Sequence, residues 1–192
     1  MTDTMPGCLV LTGTPGAGKT TVSQLVAEAL PRSARLDGDV MAHLMVSGWA
    51  SYFDERGEWS PDPEARRQLQ LRTVNLCSVA NNFAEAGYTP VVDHVVETRE
   101  ELAFLTDRLR ARPLMLVVLA PPLEVARHRN ATRPEEHRVH YDFAPLAATM
   151  RRELGGVGWW LDSGKMTPEE TAARIVAEAA ERAVVAPEAL AA

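Results

Sequence analysis

The sequence lacks several features that would place it in other classes of protein. No apolar run approaches the length needed to cross a membrane, and residues 1–7 lack the charged and apolar regions of a signal peptide. Only two cysteines occur, Cys8 in a strand-like run and Cys77 in an apolar helical stretch, which favours buried free thiols over a disulfide or a metal site. We therefore expect a cytoplasmic protein with no membrane partner.

The sequence also has fewer basic than acidic residues. The chain has 20 Lys and Arg residues against 26 Asp and Glu residues, for a net charge of −6. General binding to a phosphate backbone is thus disfavoured, and no nucleic-acid partner is expected. A chain of 192 residues is long enough for one core and short for two. Because no internal repeat or linker occurs, we expect a single domain over 1–192, with a flexible tail over about 186–192.

One glycine-rich stretch has a specific pattern. Residues 13–20 fit G-x-x-x-x-G-K-S/T, directly after the apolar run 8–12 and before an amphipathic helix over 20–30. Glycines let backbone N–H groups turn toward phosphate oxygens, and the helix start adds the positive end of its dipole. A glycine-rich turn without a ligand would not explain Lys19 and Thr20 at their places. The stretch therefore predicts a phosphate-binding P-loop.

The P-loop assigns a role to each residue type in it. Lys19 is expected to reach the β- and γ-phosphates of ATP, and Thr20 is expected to hold Mg²⁺. ATP and Mg²⁺ are thus the predicted cofactors. The residues predicted to bind the nucleotide here are Gly13, Thr14, Pro15, Gly16, Ala17, Gly18, Lys19, Thr20 and Thr21.

Strand-like and helical segments alternate along the rest of the chain. Strands are predicted at 8–12, 33–36, 89–93, 114–119 and 157–161, with helical periodicity between them. This alternation predicts an α/β fold, a single doubly wound parallel five-stranded sheet flanked by helices. In such a sheet, ligands bind at the carboxyl ends of the strands.

Two of the predicted strands end in carboxylates. Asp37 and Asp39 follow the second strand, and Asp93 ends the third and precedes His94. Asp39 alone would be explained as the N-cap of a helix over 40–46, but a cap does not account for the pair, which indicates a ligand site. Asp93 is expected to hold Mg²⁺ directly or through water and to lie near the substrate. His94 is a candidate substrate contact, with a packing role as the alternative.

The segment 48–60 is the least regular part of the chain. It places Trp49, Tyr52 and Phe53 among charged residues, either as the wall of an acceptor pocket or as core packing. The long helix that follows begins at Asp62-Pro63 and continues to Gly87. Its arginines, including Arg72, are expected to be mainly solvated, and the alternative is that Arg72 reaches the substrate side.

Positive charge is concentrated after Pro121-Pro122. Arg127, Arg129 and Arg133 occur there, and residues 129 and 133 are predicted to share one helix face, so that two guanidinium groups converge on a polyphosphate. A solvated helix end is the alternative. We predict an arginine-rich lid over about 127–142.

The order of these features resembles that of small P-loop kinases. The shared features are the P-loop, the strand ending in Asp-Gly-Asp, the strand ending in Asp93, the arginine-rich segment and a Asp-Ser-Gly turn before a capped helix. The similarity covers nearly the whole chain and points to chloramphenicol-phosphotransferase-like kinases, while adenylylsulfate kinases share the Leu-Asp-Gly-Asp stretch. It implies a nucleoside-kinase-like fold.

The same resemblance implies roles for particular residues. Asp39 matches the catalytic carboxylate, with Asp37 as the other candidate base and a candidate acceptor contact. Arg127, Arg129 and Arg133 fall in the lid. Ser163, Gly164 and Lys165 fall in the loop that flanks the adenine. The aromatic segment 48–60 matches no family motif, which leaves the acceptor open.

Together these features predict an ATP-dependent phosphotransferase that moves the γ-phosphoryl group to a hydroxyl of a small molecule, such as an antibiotic or a metabolite. Lys19, Mg²⁺, Arg129 and Arg133 would neutralise charge, and Asp39 would accept or orient the proton. The absence of an Asn-Lys-x-Asp stretch disfavours a GTPase. The alternatives are a nucleoside, nucleotide or nucleotide-sugar kinase of the zeta-toxin type and a non-catalytic nucleotide-sensing module. The expected partner is the small-molecule acceptor, and the sequence leaves a homodimer open.

Overall fold

A five-stranded parallel sheet forms the centre of the protein. The computed structural model describes residues 5–57 and 59–186, so the tail predicted to be flexible lies outside the described residues except for Ala186. The strand order is β2-β3-β1-β4-β5, and every neighbouring pair is parallel. This confirms the predicted fold class. The strands are β1 (Cys8–Thr12), β2 (Ser33–Asp37), β3 (Thr89–Asp93), β4 (Leu114–Leu119) and β5 (Trp159–Leu161).

Helices connect successive strands and cover both faces of the sheet. Three of them begin at side-chain caps: the side chains of Asp62, Thr98 and Thr167 each accept a hydrogen bond from the backbone N–H three residues ahead. Along the described residues, no helix is both long and apolar enough to cross a membrane. The helices are α1 (Lys19–Ala29), α2 (Gly38–His43), α3 (Pro63–Glu85), α4 (Arg99–Arg108), α5 (Leu123–Ala131), α6 (Ala144–Leu154) and α7 (Pro168–Arg182), with a 3-10 turn at Glu135–His137.

The hydrophobic core has two layers, one on each face of the sheet. Alternate residues of β1 face opposite layers: Leu9 and Leu11 lie in the layer under α1 and α7, whereas Cys8 and Val10 lie in the layer under α3 and α4. Cys8 and Cys77 are buried free thiols, as predicted. Burial raises the pKa of Cys8 to about 12 and that of Cys77 to about 11, so both remain protonated and unreactive.

Two helices end earlier than the sequence predicts. α2 ends at His43, not at residue 46, where Val46, Ser47 and Gly48 have weak helix propensity. α5 ends at Ala131, and Arg133 precedes Pro134, a position where helical backbone is disfavoured. The prediction that Arg129 and Arg133 share one helix face is therefore wrong.

The helix cap after β2 also differs from the alternative drawn from the sequence. The N-cap of α2 is Asp37, whose Oδ1 accepts a hydrogen bond from the backbone N–H of Asp39 at 2.9 Å. Asp39 is the second residue of the helix and does not cap it. Its side chain is therefore not committed to starting α2.

Candidate active site

The P-loop lies at the carboxyl end of β1 and leads into α1. Gly16 has a φ of 77°, and a Cβ there would lie 2.0 Å from the carbonyl oxygen of Ala126, so this position needs glycine. Gly18 precedes α1 in a left-handed conformation and forms no side-chain cap. The first N–H groups of α1 are therefore not bonded by a capping side chain, an arrangement that suits an anionic ligand.

Lys19 lies across the P-loop. Its Nζ donates hydrogen bonds to the carbonyl oxygens of Gly13 at 2.9 Å and of Thr14 at 3.2 Å. Burial lowers the pKa of Lys19, and the nearby carboxylates of Asp93 and Asp39 oppose that shift. Lys19, Asp39 and Asp93 thus meet at one edge of the sheet, as their positions after β1, β2 and β3 predict.

The two residues predicted to hold Mg²⁺ lie side by side. Asp93 ends β3 and is 5% exposed, and the Thr20 side chain is a neighbour of its carboxylate. Burial raises the pKa of Asp93, and the charge of Lys19 opposes this. No group of three or more His, Cys, Asp and Glu side chains able to hold a metal occurs within residues 5–57 and 59–186. Mg²⁺ at Thr20 and Asp93 would therefore take its remaining ligands from phosphate and water, as this ion commonly does.

Arg35 connects two of the carboxylates and was not singled out from the sequence. Its Nη2 donates to Asp37 Oδ2 at 2.7 Å and to Asp93 Oδ2 at 3.2 Å, and its Nε donates to Ser23 Oγ at 2.8 Å. Residues 35 and 37 point to the same side of β2 because side chains alternate along a strand. This two-residue spacing was the one sequence signal that the side chain of Arg35 could contact that of Asp37. Arg35 therefore holds the carboxylates of Asp37 and Asp93 together.

Replacing Arg35 tests this positioning role. In Arg35→Gln the carboxylate of Asp93 loses one of its two cationic neighbours, the other being Lys19, and we expect the Mg²⁺ concentration for half-maximal activity to rise about tenfold, the lower end of effects seen for groups that orient metal ligands. Arg35→Lys keeps the positive charge on a single nitrogen, so its half-maximal Mg²⁺ concentration should lie between those of the wild type and Arg35→Gln. An Mg²⁺ titration of the ATPase or kinase rate measures this. A curve for Arg35→Gln that matches the wild type would contradict the role.

Asp37 and Asp39 differ sharply in their surroundings. Asp37 is paired with Arg35 and caps α2. The Asp39 side chain is 84% exposed, and its Oδ1 lies 3.7 Å from Nη1 of Arg72. The Arg72 side chain is only 15% exposed, so the prediction that Arg72 is mainly solvated is wrong. Of the two carboxylates, Asp39 is the one that can reach a ligand beside the P-loop.

His94 lies beneath the Asp-Gly-Asp turn rather than on the surface of the site. It is 6% exposed, its Nε2 lies 3.2 Å from the hydroxyl of Thr73, and a Cβ on Gly38 would lie 2.4 Å from its Nδ1. Glycine at position 38 therefore leaves room for the imidazole. Burial lowers the pKa of His94 to about 3, helped by the positive charges of Arg72 and Lys19. The ring is neutral at pH 7, which supports the packing alternative.

The buried imidazole predicts a dependence of stability on pH. Between its ordinary pKa of 6.5 and about 3, His94 binds a proton in the unfolded chain but not in the folded one. The free energy of unfolding should therefore fall as the pH falls through this window, by on the order of 4 kcal/mol, and stay level above it. Denaturant unfolding of wild type and His94→Asn at several pH values measures this. Asp93 is common to both proteins, so equal slopes would contradict the prediction.

The aromatic residues of 48–60 pack against one another beside Asp39. We call Trp49, Tyr52, Phe53, Trp59 and Tyr141 the aromatic cluster; its neighbouring ring centroids lie 5.1–5.6 Å apart. None of the five belongs to either core layer, which argues against the core-packing alternative. Burial and the negative charge of Asp39 raise the pKa of both tyrosines, while Arg72 opposes the shift at Tyr52. Tyr141 comes from a distant part of the chain and was not predicted.

Gln68 fixes the aromatic segment onto α3. Its Nε2 donates to the carbonyl oxygen of Gly48 at 2.8 Å, and its Oε1 accepts from the backbone N–H of Ala50 at 3.0 Å. The side chain is 6% exposed. An irregular segment is thereby held at a defined position on a regular helix, which is what a binding wall requires.

The three arginines of the predicted lid have different surroundings. Arg127 is exposed and pairs with Asp142 at 2.9 Å, and Arg129 donates to the carbonyl oxygen of Ser163 at 3.0 Å. The charge of Arg133 contributes to lowering the pKa of Lys19, which places it near the P-loop. The side chain of Asn130 bonds both the N–H and the C=O of Val139 at 3.1 and 2.8 Å and folds this segment into a loop.

The loop after β5 lies against the segment that leads into α5. Ser163 is buried and bonded through its carbonyl to Arg129, and the backbone N–H of Gly164 is bonded to Asp162 Oδ1 at 2.8 Å. A Cβ on Gly164 would lie 2.6 Å from Cδ of Pro122. Lys165 is exposed. Ser163 and Gly164 are therefore next to the arginine-rich segment, and Arg129 joins the two.

A parallel sheet of this order, with a P-loop after its central strand, matches the fold of P-loop NTPase kinases. The model of a family described as an AAA domain matches residues 9–153, and the chain belongs to that family. A search of the curated proteins finds no match.

Solved structures share the fold at low sequence identity. A sugar kinase from Janibacter sp. HTCC2649 is 19% identical with a TM-score of 0.62, over 90% of this chain and 94% of that one. A tunicamycin resistance protein from Deinococcus radiodurans is 17% identical with a TM-score of 0.61, over 95% and 100%. The APS kinase of Mycobacterium tuberculosis, in complex with AMPPNP and APS, is 18% identical with a TM-score of 0.59, over 91% and 98%. The resemblance to small P-loop kinases is thus confirmed for the fold.

Proposed function

We propose that this protein is an ATP-dependent kinase that transfers the γ-phosphoryl group to a hydroxyl of a small molecule. One observation carries the proposal: the exposed carboxylate of Asp39 and the buried carboxylate of Asp93 both act on Lys19 of the P-loop. A site that only bound a nucleotide would have no use for an exposed carboxylate beside the phosphate-binding lysine.

The residues of the site fit ATP and Mg²⁺. The uncapped start of α1 suits the phosphates, Lys19 supplies a cation, and the neighbouring side chains of Thr20 and Asp93 offer oxygen ligands of the kind Mg²⁺ prefers. Mg²⁺ held there would neutralise charge on the phosphate oxygens. We assign the loop of Ser163, Gly164 and Lys165 to the side of the adenine.

The transfer itself needs one proton acceptor and well-placed positive charge. The acceptor hydroxyl oxygen forms a bond to the γ-phosphorus, the bond from that phosphorus to the bridging oxygen breaks, and ADP leaves with the electron pair. Asp39 takes the hydroxyl proton. Lys19 and Arg133 stabilise the charge that spreads over the transferred group.

We further propose that residues 127–142 act as a lid that brings Arg129 and Arg133 to the phosphates. Arg133→Ala should lower the rate of phosphoryl transfer by about ten- to a hundredfold, as expected for the loss of one charge-assisted contact. Arg129→Ala should lower the rate by a similar factor, because the closed lid also brings Arg129 to the phosphates. Arg110→Ala is the control, because Arg110 is exposed, pairs with Glu85 and lies outside residues 127–142. Single-turnover transfer rates decide this, and full activity in both test variants would make these arginines surface residues.

The nature of the acceptor distinguishes the kinase proposal from its alternatives. Proteins of similar fold include a sugar kinase, a tunicamycin resistance protein and an APS kinase. Hydroxyl-bearing sugars, antibiotics and nucleotides are therefore all candidate acceptors. The test is a screen of such compounds for acceptor-stimulated ADP formation, with Lys19→Ala as the blank. Stimulation by at least one compound, with a phosphorylated product, is expected. ATP binding without stimulation by any of them would favour the nucleotide-sensing module.

A further inference from the structure

Two buried polar atoms beside Asp39 make no hydrogen bond with the described part of the chain: the hydroxyl of Tyr52 and the Nε of Arg72. Leaving a buried donor unpaired costs about 1–3 kcal/mol, and more for a charged group. Both atoms belong to side chains that could have pointed elsewhere, because Tyr52 lies in an irregular segment and Arg72 has a long side chain. Their joint presence indicates a site for a ligand.

The architecture holds these two groups in one place. Gln68 and Arg72 lie one turn apart on α3, and Gln68 is bonded to Gly48 and Ala50. Tyr52 follows two residues later and is packed between Trp49 and Trp59 at centroid distances of 5.2 and 5.6 Å. Besides burial, the charges of Arg72 and Asp39 act on the pKa of Tyr52, and Arg72 itself lies 3.7 Å from Asp39. The segment and the helix thus bring both side chains to the neighbourhood of Asp39.

The charge balance at Arg72 indicates what the ligand carries. The guanidinium is largely buried, at 15% side-chain exposure, and its ion pair with Asp39 is long, at 3.7 Å, to a carboxylate that is 84% exposed. Such a partner offsets little of the cost of burying a cation. A ligand oxygen with negative charge would accept hydrogen bonds from both Arg72 Nε and the Tyr52 hydroxyl and supply the missing countercharge.

We propose that Tyr52 and Arg72 form a subsite for a carboxylate of the acceptor, so that the substrate class is a small hydroxy acid. This inference rests on the kinase function proposed above. Because Arg72 and Asp39 lie 3.7 Å apart, the carboxylate and the phosphorylated hydroxyl must be close together in the acceptor. Trp49 and Trp59 are 46% and 48% exposed and offer apolar ring surface to the remainder of the molecule.

The experiment uses pairs of compounds that differ only in the anionic group. A panel of small hydroxy acids, aliphatic and aromatic, is compared with the corresponding primary amides, by acceptor-stimulated ADP formation and, separately, by calorimetric titration of binding. We expect hydroxy acids to be preferred, and we expect Arg72→Gln and Tyr52→Phe each to raise their KM or Kd about ten- to a hundredfold without a like effect on the amides.

The variants separate a binding role from a structural one. The Tyr52 hydroxyl has no partner in the described chain, so Tyr52→Phe should leave the thermal stability unchanged or raise it, and a purely structural tyrosine would then leave KM unchanged. Arg67→Gln is the control: Arg67 lies on the same helix, is 68% exposed, pairs with Glu64 and should change nothing.

The outcomes also separate this inference from the kinase proposal. If amides are phosphorylated as well as the acids, or if both variants keep the wild-type KM, the carboxylate subsite is wrong while the kinase stands. If no compound stimulates ADP formation but hydroxy acids bind to the wild type and not to the variants, the subsite stands and the kinase proposal fails. If the acids neither stimulate ADP formation nor bind, the subsite is rejected.

Discussion

Lys19→Ala is expected to abolish turnover, lowering the rate by about 10³-fold or more, and to leave the fold intact. The side chain lies across the P-loop, and its Nζ is bonded to the carbonyl oxygens of Gly13 and Thr14, groups that water can solvate when the lysine is removed. What is lost is the cation that the β- and γ-phosphates need in the transition state. Steady-state ADP formation and thermal unfolding, measured on the same preparation, test both halves of the expectation.

A control for Lys19→Ala is available on the same protein. Arg110→Ala also removes a positive charge, but from an exposed ion pair with Glu85, away from the P-loop. It should keep both the rate and the melting temperature. Wild-type turnover in Lys19→Ala would overturn the phosphate site, and a large drop in its melting temperature would show that the lysine serves the fold.

Asp39→Asn is expected to slow the chemical step by about 10²- to 10⁴-fold, the usual contribution of a general base. The amide keeps the shape of the side chain but cannot take the proton of the acceptor hydroxyl. Asp37 rather than Asp39 caps α2, so the substitution leaves the start of the helix unchanged. ATP affinity should change little. Single-turnover transfer and ATP titration measure the two quantities.

Asp93→Asn separates the two carboxylates by role. Asp93 lies next to Thr20, and an amide at this position lacks the negative charge that Mg²⁺ prefers, so Asp93→Asn should raise the Mg²⁺ concentration needed for half-maximal rate. A shifted Mg²⁺ curve in Asp39→Asn, with an unshifted one in Asp93→Asn, would mean that the roles are exchanged. An unchanged rate in Asp39→Asn would remove it from the mechanism and make Asp37 the next candidate.

The parts of the site that follow one another along the chain were predictable. The P-loop is a local pattern, and the carboxylates at 37, 39 and 93 mark strand ends, which parallel pairing brings to one edge. Arg35 was not predictable in its role, because its contact with Asp93 depends on β2 lying next to β3. The same holds for Tyr141, which meets Phe53 only in the folded chain.

The expectations for Arg72 and Arg133 are wrong because local sequence patterns do not show what surrounds a side chain or where the backbone leaves a helix. The charge of Arg72 suggested that it is solvated, but its side chain is only 15% exposed in the folded chain, on the same helix that holds the aromatic segment through Gln68. Arg133 was placed on a helix face because periodicity continues past residue 131, whereas Pro134 ends the helix before it. A competing long-range contact or backbone restriction decided each case.

The strand order has a consequence for how such a protein changes its substrate during evolution. In the function proposed above, elements that follow β1, β4 and β5 serve the nucleotide, whereas Asp39, the aromatic segment and Arg72 come from one continuous stretch between β2 and β3. We expect that stretch to be exchangeable between proteins of this fold without a change of phosphoryl donor. A chimera carrying residues 37–73 of a relative should inherit the acceptor preference of that relative, because most of the proposed acceptor contacts lie within this stretch.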